Sequence, residues 1–305
     1  MNNYTRAEGI AVNTATWLVI FSTIENITAI FLNIFLIGVF VSSRQLKSTS
    51  TNTLFASLAS VDLATSMCFF FKTIIEPLME TPSGFLGMIY CRFVYSTFLM
   101  WSFIGSSWFH VVLITMERFI AVCFPITYKE VSESKHLLFI LLFLAHIAWH
   151  NTFIAKYQNN SCVVLFQSWS DALKFGVLFT FLTFSTSVAG FITVIYSIVI
   201  WKVIFKTKRS SEKISKSQKR ATTICVILVA EFFICSLPNL IYGSLYVIDS
   251  VFYFNFGLTF DSSLYVSTLQ FVSASSFINP LIYMTFNTSF KNAALELLKP
   301  LFSHK

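Results

Sequence analysis

Residues 220–247 read RATTICVILVAEFFICSLPNLIYGSLYV, a run in which Glu231 is the one charged side chain between Arg220 and Asp249. A helix crosses the hydrocarbon of a bilayer with about 20 mostly apolar residues, so this stretch is long enough to span it. Pro238 removes one backbone hydrogen bond inside the run and predicts a kink about which the flanking halves can swing. Moving outward with the same window gives spans near 15–41, 52–78, 90–122, 136–157, 172–204, 220–247 and 257–284, the last interrupted by Pro280. Beyond them, Asn287 to Leu301 places Phe290, Ala294, Leu297, Leu298 and Leu301 on an approximate helical stripe, the pattern of a helix lying along a membrane surface. The expected fold is an all-α membrane protein, a seven-transmembrane helix bundle with a short amphipathic eighth helix. Residues 1–14 form an extracellular N-terminus, 15–284 the bundle, and 285–305 a cytoplasmic helix and tail.

Composition agrees. Of 305 residues 55% are hydrophobic and 11% charged, where a soluble domain has roughly a quarter charged. The 36 Phe residues suit a surface facing lipid, where apolar side chains meet no water. A formal charge of +7 would suit nucleic acid in another setting, but most basic residues here sit in short loops between apolar runs, so membrane topology accounts for them. The six cysteines form no CxxC pair and lack metal-ligand spacing, which argues against a zinc or thioredoxin-like site. Met1 to Ala15 is largely polar, with no basic cluster or clear cleavage signal, and the run that follows reads as a retained first span.

Loop charge sets the direction, because Lys and Arg accumulate on the cytoplasmic side. One face gathers Arg44, Lys47, Arg118, Lys129, Lys135, the basic stretch Lys202 to Arg220, Lys291, Lys299 and Lys305; the other holds Arg6, Lys72, Arg92, Lys156 and Lys174. The N-terminus is therefore expected outside, in the plasma membrane. Asn3-Tyr4-Thr5 and Asn159-Asn160-Ser161 are glycosylation sequons and both fall on that outer face. Cys91 and Cys162 lie there too, in a compartment that permits disulfides.

Polar groups inside a span are costly and point to interior partners. Asn33, Asp62, Ser107, His110, Glu231, Asn239, Ser275, Ser276 and Asn279 are the main cases. Asp62 lies well inside the second span, and a buried carboxylate must be protonated, paired or bound to a cation. Ser275 and Asn279, four apart, share one helix face and are expected to supply oxygens to a common cavity.

These residues, in order and each on its own span, resemble rhodopsin-like G-protein-coupled receptors along nearly the whole chain. Asn33 stands where the family's first helix carries Asn, and Leu58-Ala59-x-x-Asp62 is similar to the second-helix motif whose Asp helps to bind sodium in many members. Cys91 and Cys162 match the cysteines that tie the third helix to the second extracellular loop. Glu117-Arg118-Phe119 with Pro125 resembles the acid-Arg-aromatic motif, Trp149 the fourth-helix Trp and Tyr196 the fifth-helix Tyr. Phe232-x-x-Cys235-x-x-Pro238 resembles the sixth-helix switch, and Asn279-Pro280-x-x-Tyr283 followed by Phe286 and Phe290 resembles the seventh-helix motif leading into the eighth.

The resemblance implies a receptor, not an enzyme, that activates a heterotrimeric G protein by outward movement of the sixth helix. The switch residues would be Glu117, Arg118, Tyr196, Phe232, Pro238, Asn279, Pro280 and Tyr283. Asn33, Asp62, Ser107, Ser275 and Asn279 would form an allosteric sodium site, with no other cofactor. The departures are specific: Ser236 replaces the usual sixth-helix Trp, the fifth span lacks its Pro, the base of the sixth lacks its acid, and Cys91 to Arg118 is about two residues longer than usual. The missing acid leaves Glu117 alone to hold Arg118 and predicts basal activity. The outer third span offers Phe98, Met100 and Trp101 where amine receptors place Asp, which disfavours a monoamine; no Lys lies in the seventh span to hold retinal. With Asn239, Tyr242, Tyr265 and Leu269 these residues would line a pocket for an uncharged or weakly polar small molecule, lipid or short peptide. Membrane lipid is the remaining expected partner. A seven-helix ligand-gated channel or a transporter is the alternative, although neither inverted repeats nor Gly-interrupted helices are evident.

Overall fold

The computed structural model describes residues 16–47, 50–124, 155–159, 161–164, 176, 190–192, 194–195, 198, 216–252, 256–258 and 262–302. Trp149, Tyr196, Asn3, Pro125 and most of the fourth and fifth spans lie outside the described residues.

The first span is α1 (Thr16–Ser42), joined through a single turn, α2 (Arg44–Lys47), to the second span, α3 (Ser50–Phe70). On α1 the residues Trp17, Phe21, Ile24 and Phe31 are exposed, whereas Asn26, Ala29, Asn33 and Leu36 are buried, so the polar residues face the bundle and the large apolar ones face outward. That inversion suits a lipid surround, in which polar groups need partners inside the protein. Beyond α3 the helix widens into a π turn at Phe71–Ile75 and ends in a 3-10 turn at Glu76–Leu78. Pro77 cannot continue the hydrogen-bond ladder, and a π turn absorbs that defect without breaking the helix.

The third span differs from the expected uninterrupted helix. It begins earlier, with α4 (Gly84–Ile89), widens into a π turn at Tyr90–Tyr95, and resumes after a break as α5 (Phe98–Cys123). At the break Thr97 takes φ 59, in the left-handed region. The π turn and this one-residue break absorb the extra length between Cys91 and Arg118, so the cysteine keeps its place at the top of the span.

A hairpin follows, β1 (Ala155–Gln158) antiparallel to β2 (Ser161–Val164), with Tyr157 opposite Cys162. The fourth span therefore ends before Ala155, short of the expected 157. Asn159 sits exposed at the tip with φ 51, a conformation that Asn tolerates better than most residues.

The sixth span is one long helix, α6 (Lys216–Phe252), running through Pro238. The seventh, α7 (Ser263–Phe286), starts later than the expected 257, where the Ser262 hydroxyl accepts from the Tyr265 amide at 3.2 Å and caps it. Asn287 then turns the chain, its Oδ1 accepting from the Phe290 amide at 3.0 Å, into α8 (Thr288–Phe302). Phe290 is buried against the rings of Phe35, Phe40 and Tyr283, which fastens α8 to α1 and α7. Trp17–Ser42, Asn52–Leu78, Gly84–Ala121 and Thr223–Tyr246 are long and apolar enough to cross a membrane.

Two apolar clusters stack along the bundle. One, toward α8, gathers Phe40, Phe55, Leu58, Ile114, Leu228 and Tyr283 from α1, α3, α5, α6 and α7. The other gathers Phe69, Met100, Trp108, Phe232, Leu240 and Val272.

Candidate functional site

Asp62 is fully buried on α3. Ser107 on α5 donates its hydroxyl to Asp62 Oδ1 at 2.9 Å, and Asn279 on α7 donates Nδ2 to Oδ2 at 3.0 Å. The same Asn279 Nδ2 lies 3.4 Å from the Ser275 hydroxyl. One carboxylate thus gathers three helices, and four of the five residues expected around a cation, Asp62, Ser107, Ser275 and Asn279, form one connected group.

Asn33 joins from the other side. Its Nδ2 donates to the carbonyls of Ala29 and Ser276, each at 2.9 Å. The second bond has a local cause. Ser276 precedes Pro280 by four residues, and proline has no N–H to give the carbonyl below it. Asn33 supplies that missing donor from α1. Between these groups lies a cavity of about 10 Å³ lined by Asn33, Leu36, Phe55, Leu58, Ala59, Asp62, Asn279, Pro280 and Tyr283, near the least space that holds one water. The Oδ1 atoms of Asn33 and Asn279 are buried without hydrogen-bond partners. Orphaned hard oxygens beside a carboxylate are the donor set that a sodium or calcium ion accepts.

At the cytoplasmic end of α5, Glu117 and Arg118 form a two-pronged ion pair, Arg118 Nε donating to Oε2 at 2.6 Å and Nη2 to Oε1. Both side chains are largely sheltered, and Cys225 of α6 lies within their field. Ile224, Cys225 and Leu228 pack α6 into the cluster that holds Ile114 of α5, so the cytoplasmic half of α6 is closed on the third span. Tyr283 lies at the same end of the bundle, where its hydroxyl donates to Asn52 Oδ1 near the start of α3 at 2.7 Å and its ring lies 4.4 Å from that of Phe55.

Phe232 is buried, six residues before Pro238 on the same helix. Trp108 of α5 meets it edge to face, with ring centroids 6.0 Å apart. Position 236 on the sixth helix is Ser, and an indole from the third span lies beside the Phe. Nothing in the sequence around Trp108 distinguished it from ordinary apolar packing.

The residues expected to line a ligand pocket separate into two groups, with Phe98 apart from both. Asn239 donates to Thr268 Oγ1 at 3.1 Å, Tyr242 and Ser262 share a hydrogen bond of 2.9 Å, and the rings of Tyr242 and Tyr265 are 5.4 Å apart, all across the α6–α7 seam. Met100, Trp101 and Leu269 belong to the apolar cluster with Leu240 and Val272. Phe98 packs edge to face on Phe93, 5.4 Å away.

Glu25 was not singled out from the sequence, although the cost of a lone acid inside a span, which picked out Glu231, applies to it equally. It is buried on α1, accepts a hydrogen bond from Gln270 of α7, and leaves Oε1 without a partner. The next residue, Asn26, accepts from Ser273 at 3.0 Å. With Asn33 these contacts make the α1–α7 seam polar from Glu25 to Asn33, beyond which Phe40 meets Tyr283.

Above the bundle Cys91 and Cys162 form the disulfide, Cα atoms 5.3 Å apart. Tyr157 of the same hairpin lies so close to Gly87 that any Cβ there would overlap its ring and the Pro82 carbonyl, and its hydroxyl accepts from the Gly84 amide at 3.1 Å.

Comparison with known proteins adds a family. The pattern described as 7 transmembrane receptor (rhodopsin family) matches residues 32–283. The chain is 28% identical over 284 residues to trace amine-associated receptor 7d of Mus musculus and 29% identical over 284 residues to trace amine-associated receptor 7e of Rattus norvegicus, each alignment covering 82% of this chain and 73% of the relative.

Proposed function

The chain belongs to the rhodopsin family of seven-transmembrane receptors, and on that premise we propose that it binds an extracellular ligand and activates a heterotrimeric G protein when the cytoplasmic half of α6 swings outward about Pro238. It is a multi-pass membrane protein and a receptor rather than an enzyme; we place it in the plasma membrane with its N-terminus outside. The family match does not favour a channel or transporter.

The observation that carries the reading is the sheltered Glu117–Arg118 pair at the closed α5–α6 seam. Ligand binding shifts a population between two arrangements and does so only by preferring one of them. Outward movement of α6 would strip Ile224, Cys225 and Leu228 from the seam, free Arg118 from Glu117 and open the base of the bundle. Tyr283 would leave Asn52 and, with Tyr196, support the opened cavity. No acid lies on α6 between Lys216 and Ala230, so the resting state rests on Glu117 and apolar packing, which favours basal signalling. The basic stretch Lys202 to Arg220 would border the docked G protein and attract anionic lipid. Arg118→Ala should abolish ligand-dependent and basal nucleotide exchange on a panel of G proteins; undiminished exchange refutes this role.

The oxygens of Asp62, Ser107, Ser275, Asn279 and Asn33 suit a sodium ion, which when bound would stabilise the Asp62 charge in the resting arrangement. As ligand we favour an uncharged or weakly polar molecule, because Phe98, Met100 and Trp101 put no acid at the top of α5. A second reading is an amine anchored by Glu25 instead of a third-span acid. The relatives' names and the free Glu25 Oε1 favour it. Glu25→Gln distinguishes the two: loss of response to an amine panel supports the anchor, and an unchanged response rejects it.

A further inference from the structure

We propose that Glu25 of α1 is a proton-binding site that sets the resting state: with its proton it closes the α1–α7 seam, and without it the seam loosens. The regulatory half rests on the receptor reading above. The proton itself concerns the bundle with no ligand bound, and is independent of the reading in which Glu25 anchors an amine.

Ser22, Glu25, Asn26, Ala29 and Asn33 recur every three or four residues on the buried stripe of α1, while Phe21, Ile24 and Phe31 face outward. Glu25 is the tenth residue of α1 and Gln270 the eighth of α7. At the rise of an α-helix both lie roughly 10–14 Å below the outer helix ends, in the half of the bundle nearer the outside. Glu25 is 7% exposed, and its two oxygens are unequal. Oε2 accepts from the Gln270 amide, whereas Oε1 is buried with no hydrogen-bond partner.

Nothing around it supplies a positive charge. Glu25 is the one charged residue of α1, and α7 has none. Of the other elements packed on α1, α3 carries Asp62, whose oxygens are taken by Ser107 and Asn279. The π turn after α3 carries Lys72, which is bound to Glu76 at 2.6 Å and stands over the ring of Tyr95. The charges of α2 and α8 lie at the cytoplasmic end of α1. On α6 the Cys235 thiol comes within the field of Glu25, with Glu231 beside that thiol, and neither is a cation. An ionised carboxylate in a dry interior without a counter-charge costs far more than a neutral acid with one unmade hydrogen bond. A proton removes that charge.

The charge state matters because α7 hangs on this stripe of α1. After Gln270, Ser273 donates to Asn26 at 3.0 Å, and the Ser276 carbonyl accepts from Asn33 at 2.9 Å. Ionised Glu25 would draw water into the first of these contacts and part the helices there. The same α7 holds Asn279 on Asp62 and Tyr283 on Asn52, contacts of the resting arrangement. Acid should therefore quiet the receptor, and alkali should raise its basal activity.

The test uses the intact receptor in lipid nanodiscs with no ligand added. At neutral pH the infrared spectrum of the wild type should contain a carboxylic-acid carbonyl band that Glu25→Gln lacks and Glu25→Asp restores. An unfolded glutamate releases its proton near about pH 4, whereas the resting bundle keeps it, so raising the pH favours unfolding. The wild-type thermal midpoint should then fall between about pH 5 and 8 relative to that of Glu25→Gln, and the two should agree at the acid end. Basal nucleotide exchange, expressed relative to Glu25→Gln at each pH, should rise roughly three- to tenfold over the same window, tenfold being the effect of a tenfold difference in proton affinity between the two arrangements. A carbonyl band unchanged in Glu25→Gln overturns the proposal, as does a wild type whose midpoint follows pH just as that variant's does. The band and midpoint behaving as expected while relative exchange stays flat overturns the regulatory half. A wild type with no exchange at any pH counts against the receptor reading instead, and the band and midpoint then decide the proton alone.

Discussion

Asn33→Ala tests whether the first span completes the hydrogen bonding of a proline-broken seventh. Two hydrogen bonds disappear with the amide, but they are not equal. The Ala29 carbonyl belongs to the regular ladder of α1 and keeps its backbone donor. The Ser276 carbonyl has no ladder donor, because position 280 is proline, and its surroundings are buried. Leaving a buried carbonyl unsatisfied costs about 1–3 kcal/mol, and lipid offers no water to soften the loss. The substitution should therefore destabilise the receptor by about 2 kcal/mol. Pro280→Ala provides the control, since it returns an N–H to the Ser276 carbonyl. In that background the cost of Asn33→Ala should fall below about 1 kcal/mol, a coupling of about 1–2 kcal/mol in a double-mutant cycle. Reversible unfolding of the four proteins in nanodiscs measures it. Equal costs in both backgrounds would refute the argument and reduce Asn33 to a simple packing residue.

Three further outcomes are expected. Trp108→Ala removes a buried indole from the face of Phe232 and should cost about 3–5 kcal/mol, whereas Trp108→Phe should retain much of the stability in the same unfolding assay. Tyr283→Phe loses the hydrogen bond to Asn52, worth about 1 kcal/mol, and should raise basal nucleotide exchange because the resting rotamer alone makes that contact; a fall in basal exchange would contradict it. Gly87→Ala places a Cβ inside the Pro82 carbonyl and the Tyr157 ring, so the hairpin must shift, and the Cys91–Cys162 bond should be reduced faster by a mild thiol than in the wild type.

The spans were legible because lipid selects length and polarity, and both are written in the chain: RATTICVILVAEFFICSLPNLIYGSLYV is too long, too apolar and too poor in charge for another reading. Asp62 and Asn279 were legible as interior residues for the same reason, since each is expensive in hydrocarbon, whereas Tyr283 was legible only through the motif Asn279-Pro280-x-x-Tyr283. Their partners were not. That Ser107 and Asn279 divide the two oxygens of Asp62, or that Tyr283 takes Asn52 near the start of α3 as its partner, depends on helix rotation, which a spacing rule does not give.

Residues without a motif stayed hidden. Trp108 looks like an incidental member of an apolar run and becomes notable only when α6 brings Phe232 to it; Glu25 is costly inside its span, and what the sequence withheld is its partner, Gln270 of α7. The two extra residues before Arg118 signalled a departure but not its form; the π turn at Tyr90–Tyr95 and the left-handed Thr97 give it one. Sequence by itself determined the spans and the chemistry each must bury, because hydropathy is a property of residues taken singly. Tertiary structure alone decided which buried oxygen meets which donor, and left Asn33 and Asn279 with oxygens to spare, because hydrogen bonds between helices depend on rotations and offsets fixed only when the whole bundle packs.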